Sequence, residues 1–416
     1  MRKKIAIVVQ RYGLEVNGGA ELHARLLAEK LATKYDIEIL TTTALDYNGW
    51  KNYYPSGKEM VNEINVRRFP TIEASDRQLR RARRAIFGNK KYFRILKKIG
   101  VLDFLDKQFS IRTPSKRDVN NWLIRQGPYC PEMLNYIKAN SNDFDVFIFF
   151  TYLYYPTASG MKIVPEKSIF IPTAHDEEIM FTKAYEEIYS LPAYIMYNTE
   201  SERSLVENNF RNVVVNNNIA GVGVTSFPNF VNTEELLQKY KLNVPYFLYV
   251  GRIDRSKGCD ELIAFFNKYN TVNQNVKLLL VGKDYMNAKT SDNVIMTGFV
   301  DDEVKNALLS NCMALIMPST NESLSMVTLE AMAEGKTVIV NGLCEVLKDH
   351  VLNSGTGFYY QSYAEFKRCL DAVFELSERE KMKISENATA YVRENYSWES
   401  ILEKFDKAID LISNGK

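Results

Sequence analysis

Four groups of residues have the types and spacing for binding or catalysis. The first is Pro318-Ser319-Thr320-Asn321-Glu322-Ser323-Leu324-Ser325, in the last third of the chain. It sets one carboxylate, Glu322, in a polar loop. Met326, Leu329, Met332 and Ala333 then recur at helical spacing, and that helix carries a second carboxylate, Glu330. The N-terminus of such a helix presents unpaired N–H groups and a partial positive charge, which suits an anion such as a diphosphate. The plainer alternative is a capping acid and a surface glutamate. The second group is Gly251-Arg252-Ile253-Asp254-Arg255-Ser256-Lys257-Gly258, a glycine-bounded turn with cations at Arg252 and Lys257. The third is His175-Asp176, after an apolar run; the carboxylate would fix the imidazole tautomer, or the pair is simply a polar loop. The fourth is Gly18-Gly19. Paired glycines before a helix expose consecutive N–H groups, fit for a phosphate or a closely docked sugar, or else make a flexible turn. His23, one turn further on, reads as a helix-surface residue.

Short apolar runs position all four groups. Runs at 5–9, 167–171, 246–250 and 314–317 each lead directly into one of them. Pro318 ends the last run because proline cannot donate to a sheet ladder, and Gly335 closes the helix after it. Further strands are expected at 36–43, 64–69, 146–150, 194–199, 276–281, 294–300 and 338–340, with 213–215 as the last strand of the first half. Strands alternating with helices predict an α/β chain, and 416 residues suit two doubly wound domains better than one core. The Gly-x-Gly-x-x-Gly fingerprint of dinucleotide binding is absent after the first strand.

Pro318-Ser319, Glu322, seven residues, Glu330-Ala331 and Gly335 resemble the signature of the retaining glycosyltransferases of family 4 (glycosyltransferase group 1), which have the GT-B fold. The Gly251-Arg252…Lys257-Gly258 turn, the Gly18-Gly19-Ala20-Glu21 loop and His175-Asp176 are similar to further motifs of that family. The resemblance implies two Rossmann-like domains facing a cleft. An acceptor-binding domain would span 1–226, completed by a terminal helix at 397–416, and a nucleotide-sugar domain would span 236–396. Arg252 and Lys257 would hold the donor's diphosphate and Glu322 the sugar hydroxyls, with Ser323, Leu324 and Ser325 beside it. Glu330 would accept from the ribose, Phe299 would lie where the nucleobase sits, and His175, Asp176, Gly18 and Gly19 would complete the site. A diphosphate leaving group gains charge as its bond to the sugar breaks, and fixed cations stabilise it without a metal. The sequence departs from the family at Ser325, where glycine is usual, and near Gly342, where the family's loop has more glycines.

No cofactor or metal is expected. The nucleotide-diphosphate sugar is a substrate, taken as a UDP-sugar with GDP- and dTDP-sugars open, and the acceptor is a glycan or polyprenyl-linked glycan of a bacterial surface polysaccharide. Asp143-Phe144-Asp145 reads as a strand-entry turn, not a metal motif. A net charge of +2 gives no general bias toward nucleic acid, and none is expected as partner. Five scattered cysteines form neither a zinc pattern nor a disulfide framework, so a reducing cytoplasm is expected. No segment reaches the ~20 apolar residues of a membrane span. From Arg77 to Lys98, however, ten basic residues occur with no acidic one, and Tyr92, Leu96, Ile99 and Leu102 share a helical face. This segment suits the inner membrane surface, or a solvated basic face whose apolar side packs on the protein's own core. Two rival functions fit the same fold: a non-catalytic scaffold of a glycan-assembly complex, and another enzyme such as a sugar-nucleotide epimerase or a phosphorylase.

Overall fold

The fold is taken from a computed structural model, which describes residues 2–16, 18–47, 49–88, 113–224, 233–273, 275–289 and 291–414. The chain divides into two compact units, Met1–Gly221 with Leu402–Lys416, and Val222–Ile401.

The first unit is built on eight strands: β1 (Lys4–Val8), β2 (Asp36–Thr42), β3 (Gly57–Val61), β4 (Ile64–Phe69), β5 (Val146–Phe150), β6 (Ser168–Ile171), β7 (Tyr194–Tyr197) and β8 (Asn217–Ile219). Their order is β3-β4-β2-β1-β5-β6-β7-β8, parallel except for the β3–β4 hairpin. The central strands are continuous apolar runs, Val-Phe-Ile-Phe-Phe in β5, because both faces of a parallel sheet are covered. Asp145, the second acid of the Asp-x-Asp, accepts the Lys4 backbone N–H (2.8 Å) and ties the entry of β5 to β1.

The second unit has six parallel strands: β9 (Tyr246–Val250), β10 (Lys277–Val281), β11 (Val294–Gly298), β12 (Ala314–Met317), β13 (Thr337–Asn341) and β14 (Phe358–Tyr360). Their order, β11-β10-β9-β12-β13-β14, reverses direction between β9 and β12. In the first unit the reversal falls between β1 and β5. In open α/β sheets a ligand sits outside the carboxyl ends of the strands at such a reversal. The loops after β1, β5, β9 and β12 are therefore the places to look.

Several expectations need correction. The last strand of the first unit is β8, not 213–215, and Val215 is exposed. Pairing with β7 through Asn217↔Ile195 sets the strand there and overrides the β-branched run just before it. His23 is buried, not on the helix surface. Helix Gly19–Leu31 turns Ala24, Leu27, Ala28 and Leu31 inward, and small Ala24 and Ala28 let that side close on the sheet. His23 goes in with them, edge-on to Phe150 at 5.1 Å. Burial pushes its imidazole down to about 3, although the Gly221 backbone hydrogen-bonds it.

Helix Asp76–Ile86, the described start of the basic segment, buries Ala82 and Ile86 and packs against helix Lys116–Gln126. Here the apolar side covers the protein's own core; Tyr92, Leu96, Ile99 and Leu102 lie outside the described residues. Trp122 donates to the buried Tyr185 hydroxyl (2.9 Å), so this helix serves packing. In the terminal helix Trp398–Asn414, the face of Ile401, Phe405, Ile409 and Ile412 is buried. Its Asp406 and Asp410 reach Lys34, Tyr35 and Lys3 of the first unit's own strand ends. No helix among the described residues is long and apolar enough to cross a membrane.

Candidate active site

In the second unit, the loops after β9 and β12 meet across the strand reversal. Asp254 caps the short turn Arg255–Lys257 by accepting the Lys257 N–H (3.1 Å), which aims Lys257 out of the β9 loop. Gly258 then takes a left-handed φ of +74°, and a Cβ there would stand 2.6 Å from the Pro318 carbonyl. Only glycine lets the β9 loop lie this close to the end of β12. The result is a direct pair: Lys257 Nζ donates to Glu322 Oε1 at 2.6 Å, with both side chains partly exposed. Arg252, one residue beyond Gly251, pairs with Asp254. Burial works against the Asp254 charge, but the Ser256 hydroxyl, Arg252 and the Lys257 N–H outweigh it and hold the carboxyl below its usual range. Two cations, Arg252 paired with Asp254 and Lys257 paired with Glu322, thus stand on the loops at the strand reversal.

Glu330 lies one helix further in. Its carboxylate meets Lys305 at 3.0 Å, and Lys305 also reaches Asp302 at 3.1 Å. Burial opposes the Lys305 charge, yet Glu330 and Asp302 raise its pKa above the usual value, so Glu330 faces a permanent cation. Sequence reasoning missed Lys305, which stands on helix Asp302–Asn311.

Ser325 forms the N-cap of helix Met326–Ala333 at φ +61° and ψ +73°. The usual glycine here is accounted for by this backbone conformation, rather than by close approach to a sugar alone. The Ser325 hydroxyl bonds Thr328 Oγ1 at 2.8 Å. Leu324 is buried, and its carbonyl accepts from His350 Nε2 at 2.7 Å. That bond fixes the tautomer, so the Tyr391 hydroxyl donates to Nδ1 (3.0 Å). Burial holds the His350 pKa below its usual value despite the Leu324 carbonyl. His350 and Tyr391 brace the motif loop from behind, and no local pattern announced them. Phe299 follows the edge strand β11 and is 69% exposed.

In the first unit, the loop after β1 is set by a buried ion pair. Arg11 directs Nε and Nη2 to Glu21 Oε1 at 2.8 and 2.6 Å, and Nη1 to the Leu45 carbonyl at 3.0 Å. A Cβ on Gly18 would fall 2.1 Å from Glu21 Oε2, so the glycine is needed to clear this pair, while Gly19 faces open space. His175 follows β6 with its side chain one-third exposed. Its near carboxylate is Glu177 (3.6 Å to Nε2), not Asp176 as the sequence suggested. Glu177 also accepts the buried Tyr152 hydroxyl. Glu202 anchors the His175 loop from below: its two oxygens accept the Ala174 and Asn198 N–H groups. Full burial pushes the Glu202 carboxyl up to about 8, against those two N–H bonds. Thr151 and Thr173, at the ends of β5 and β6, both hold positive φ (+64° and +50°) and bond through their hydroxyls at 3.0 Å. β-Branched residues rarely take this conformation, and such strain gathers at functional sites.

The chain is 26% identical over 181 residues to the lipopolysaccharide 1,2-N-acetylglucosaminetransferase of Salmonella typhimurium, covering 38% of this chain and 46% of that protein. It is 28% identical over 191 residues to the capsular polysaccharide biosynthesis glycosyltransferase CapM of Staphylococcus aureus, covering 42% and 49%. The chain thus spans about half the length of these curated relatives. Solved structures align along the whole chain. They include sucrose-phosphate synthase from Thermosynechococcus elongatus (TM-score 0.71, 17% identity, 100% of both chains). Anabaena HepE in complex with UDP and glucose aligns as well (TM-score 0.66, 13% identity, 98% and 99%). They give the chain the GT-B fold of two Rossmann-like units. Residues 232–391, most of the second unit and all of its candidate site, match the family model of the glycosyl transferases group 1.

Proposed function

We propose that the protein is a retaining glycosyltransferase of family 4 type. It would move a sugar from a nucleotide-diphosphate donor to a glycan or polyprenyl-linked glycan in the synthesis of a bacterial cell-surface polysaccharide. The observation that carries this reading is the Lys257–Glu322 pair at the β9/β12 reversal, with Arg252 alongside. A donor of this class supplies partners for each member. Its diphosphate takes Lys257 and Arg252, which then stabilise the charge that develops as the bond to the sugar breaks. Its sugar hydroxyls donate to Glu322, and its ribose hydroxyls to Glu330, held ready by Lys305. These fixed cations are the reason for assigning the chemistry without a metal. In a retaining reaction of this kind the acceptor attacks on the face the diphosphate leaves, and a phosphate oxygen takes the acceptor's proton.

The first unit is assigned to the acceptor, with His175 and the Gly18-Gly19 loop as its candidate binding residues. Placement in the cytoplasm, peripheral to the membrane, follows from the donor class and from the basic residues of helix Asp76–Ile86. Five buried free thiols fit a reducing compartment.

A thermal-shift screen against UDP, GDP, dTDP and ADP and their sugars tests this reading, because a ligand of the folded state raises the melting temperature by mass action. One nucleotide should shift the second unit's transition, indifferent to EDTA, and the shift should vanish in Arg252→Ala. Incubation with donor and acceptor should then yield free nucleotide and an extended acceptor. No shift with any nucleotide, or an isomerised sugar nucleotide as the only product, overturns the assignment.

A further inference from the structure

The first unit also contains a cavity beside helix Asp76–Ile86. Its volume is about 670 Å³, and it is lined by Arg80, Arg83, Arg84, Phe87, Glu178 and Phe181. That volume suits a small-molecule site. The three arginines stand at i, i+3 and i+4 on helix Asp76–Ile86, so they share one face, opposite the side that buries Ala82 and Ile86. None of the three makes an ion pair with a described residue; Arg83 alone has a ring contact, over Phe87 at 5.8 Å. Three like charges at this spacing repel one another, and among the described lining residues one carboxylate, Glu178, stands against them. Guanidinium groups in a row match phosphate oxygens in geometry as well as charge.

The rest of the described lining is aromatic. Phe181 is 44% exposed and stacks on Phe210 at 6.2 Å. Phe87 is half-buried beside it. A cationic wall facing two rings selects a ligand with an anionic end and an apolar body. The cavity is also joined to the candidate site through the chain: Glu178 and Phe181 belong to the loop that follows β6 and carries His175.

We propose that this cavity binds the phosphate end of a phosphorylated amphiphilic acceptor. The arginines take the phosphate or diphosphate, and Phe87 and Phe181 take the first part of the apolar chain. The inference rests on the transferase reading, since it names the chemistry of that reaction's acceptor.

The probe is farnesyl diphosphate, a short soluble prenyl diphosphate, titrated calorimetrically into the full chain carrying Arg252→Gln and Lys257→Gln. Those two changes remove the other set of phosphate-binding cations. Binding should be measurable and should weaken at least tenfold when Arg80, Arg83 and Arg84 are all changed to glutamine, at an unchanged melting temperature. Arg83→Glu alone, on an exposed position, should weaken it as well and guards against misfolding of the triple variant. Inorganic pyrophosphate should bind more weakly than the prenyl compound. Equal affinity of the parent and arginine variants, or equal affinity for pyrophosphate, overturns the proposal. Adsorption to phosphatidylglycerol vesicles without binding of the soluble probe overturns it too, in favour of a bare membrane-adhesive surface. Because no turnover is read, this failure is separable from failure of the transferase reading, which the nucleotide screen tests in the second unit.

Discussion

Ser325 holds a left-handed backbone, φ +61°, inside the motif that carries Glu322 and Glu330. For a residue with a Cβ this conformation costs about 1–2 kcal/mol. The Ser325–Thr328 hydroxyl bond returns about 1 kcal/mol of that, and a glycine would lose it while adding freedom to the unfolded chain. The terms nearly cancel for Ser325→Gly, which should change stability by less than about 1 kcal/mol. Ser325→Ala keeps the strain and loses the bond, so it should destabilise by about 1 kcal/mol. Thermal melts of the three proteins should rank glycine close to serine and alanine below both; alanine equal to serine would mean the hydroxyl bond carries nothing. Lys257 is a different case. Its pair with Glu322 is partly solvated, so removing it should hardly affect the fold, worth at most about 1 kcal/mol. Loss of a charge aimed at a departing diphosphate is larger: Lys257→Ala should lower kcat by roughly 100- to 1,000-fold. Steady-state kinetics beside a melt would separate the two effects, and near-normal kcat would remove Lys257 from the site.

Between elements, the motif loop depends on a brace built from two distant helices. His350, on helix Glu345–Ser354, donates to the Leu324 carbonyl, and Tyr391, on helix Glu378–Asn395, donates to His350. His350→Ala leaves that buried carbonyl without its partner and opens a cavity, for a loss of about 2–4 kcal/mol. Tyr391→Phe removes only the outer bond and should cost about 1 kcal/mol. If the brace positions the loop, nucleotide affinity in the thermal-shift assay should fall in the first variant and stay near the parent value in the second. Equal affinity in both would make His350 a packing residue.

The same contrast shows what was legible in the sequence. Arg252, Lys257 and Glu322 could be found because each lies in the loop directly after a strand, and Glu330 because it stands on the short helix Met326–Ala333 that continues the same unit, where spacing along the chain decides position. His350, Tyr391 and Lys305 reach the motif only through tertiary packing, and a helical pattern cannot say which neighbour a side chain will meet. Helical spacing also misplaced His23, because Leu22 and Leu26 suggested the buried face and the small Ala24 and Ala28 set it. At Asp176 the nearest carboxylate in sequence was favoured, while the loop turns Glu177 toward the imidazole.

For the whole molecule, the two units should respond to pH in opposite senses. A chain of two units need not unfold in one step, so each is considered separately. In the second unit His350 stays neutral in the native state, with its pKa lowered by burial. The unfolded chain takes up a proton there below about pH 6.5, which the native state does not, so the second unit loses stability as pH falls through that value. Among the described residues of the first unit, two groups of opposite sign act above about pH 4.5. His23, pushed down to about 3, gives the same acid-side loss. Glu202, pushed up to about 8, keeps a proton in the native state that the unfolded chain releases above about pH 4.5, so its contribution falls as pH rises. Between about pH 4.5 and 6.5 these two slopes cancel. From about 6.5 to 8 only Glu202 acts, and the first unit should lose about 1.4 kcal/mol per pH unit. Of the three tryptophans, Trp50 and Trp122 lie in the first unit and Trp398 in the second. Denaturant unfolding of Trp398→Phe, followed by fluorescence, therefore reports the first unit alone, and hydrogen exchange of the β9 and β12 amides reports the second. The expected result is a first unit flat between about pH 4.5 and 6.5 and weakening toward pH 8, beside a second unit that weakens below about 6.5. A single profile shared by both units would mean that His23, His350 and Glu202 titrate as they do in water, which is incompatible with the burial that shapes both candidate sites.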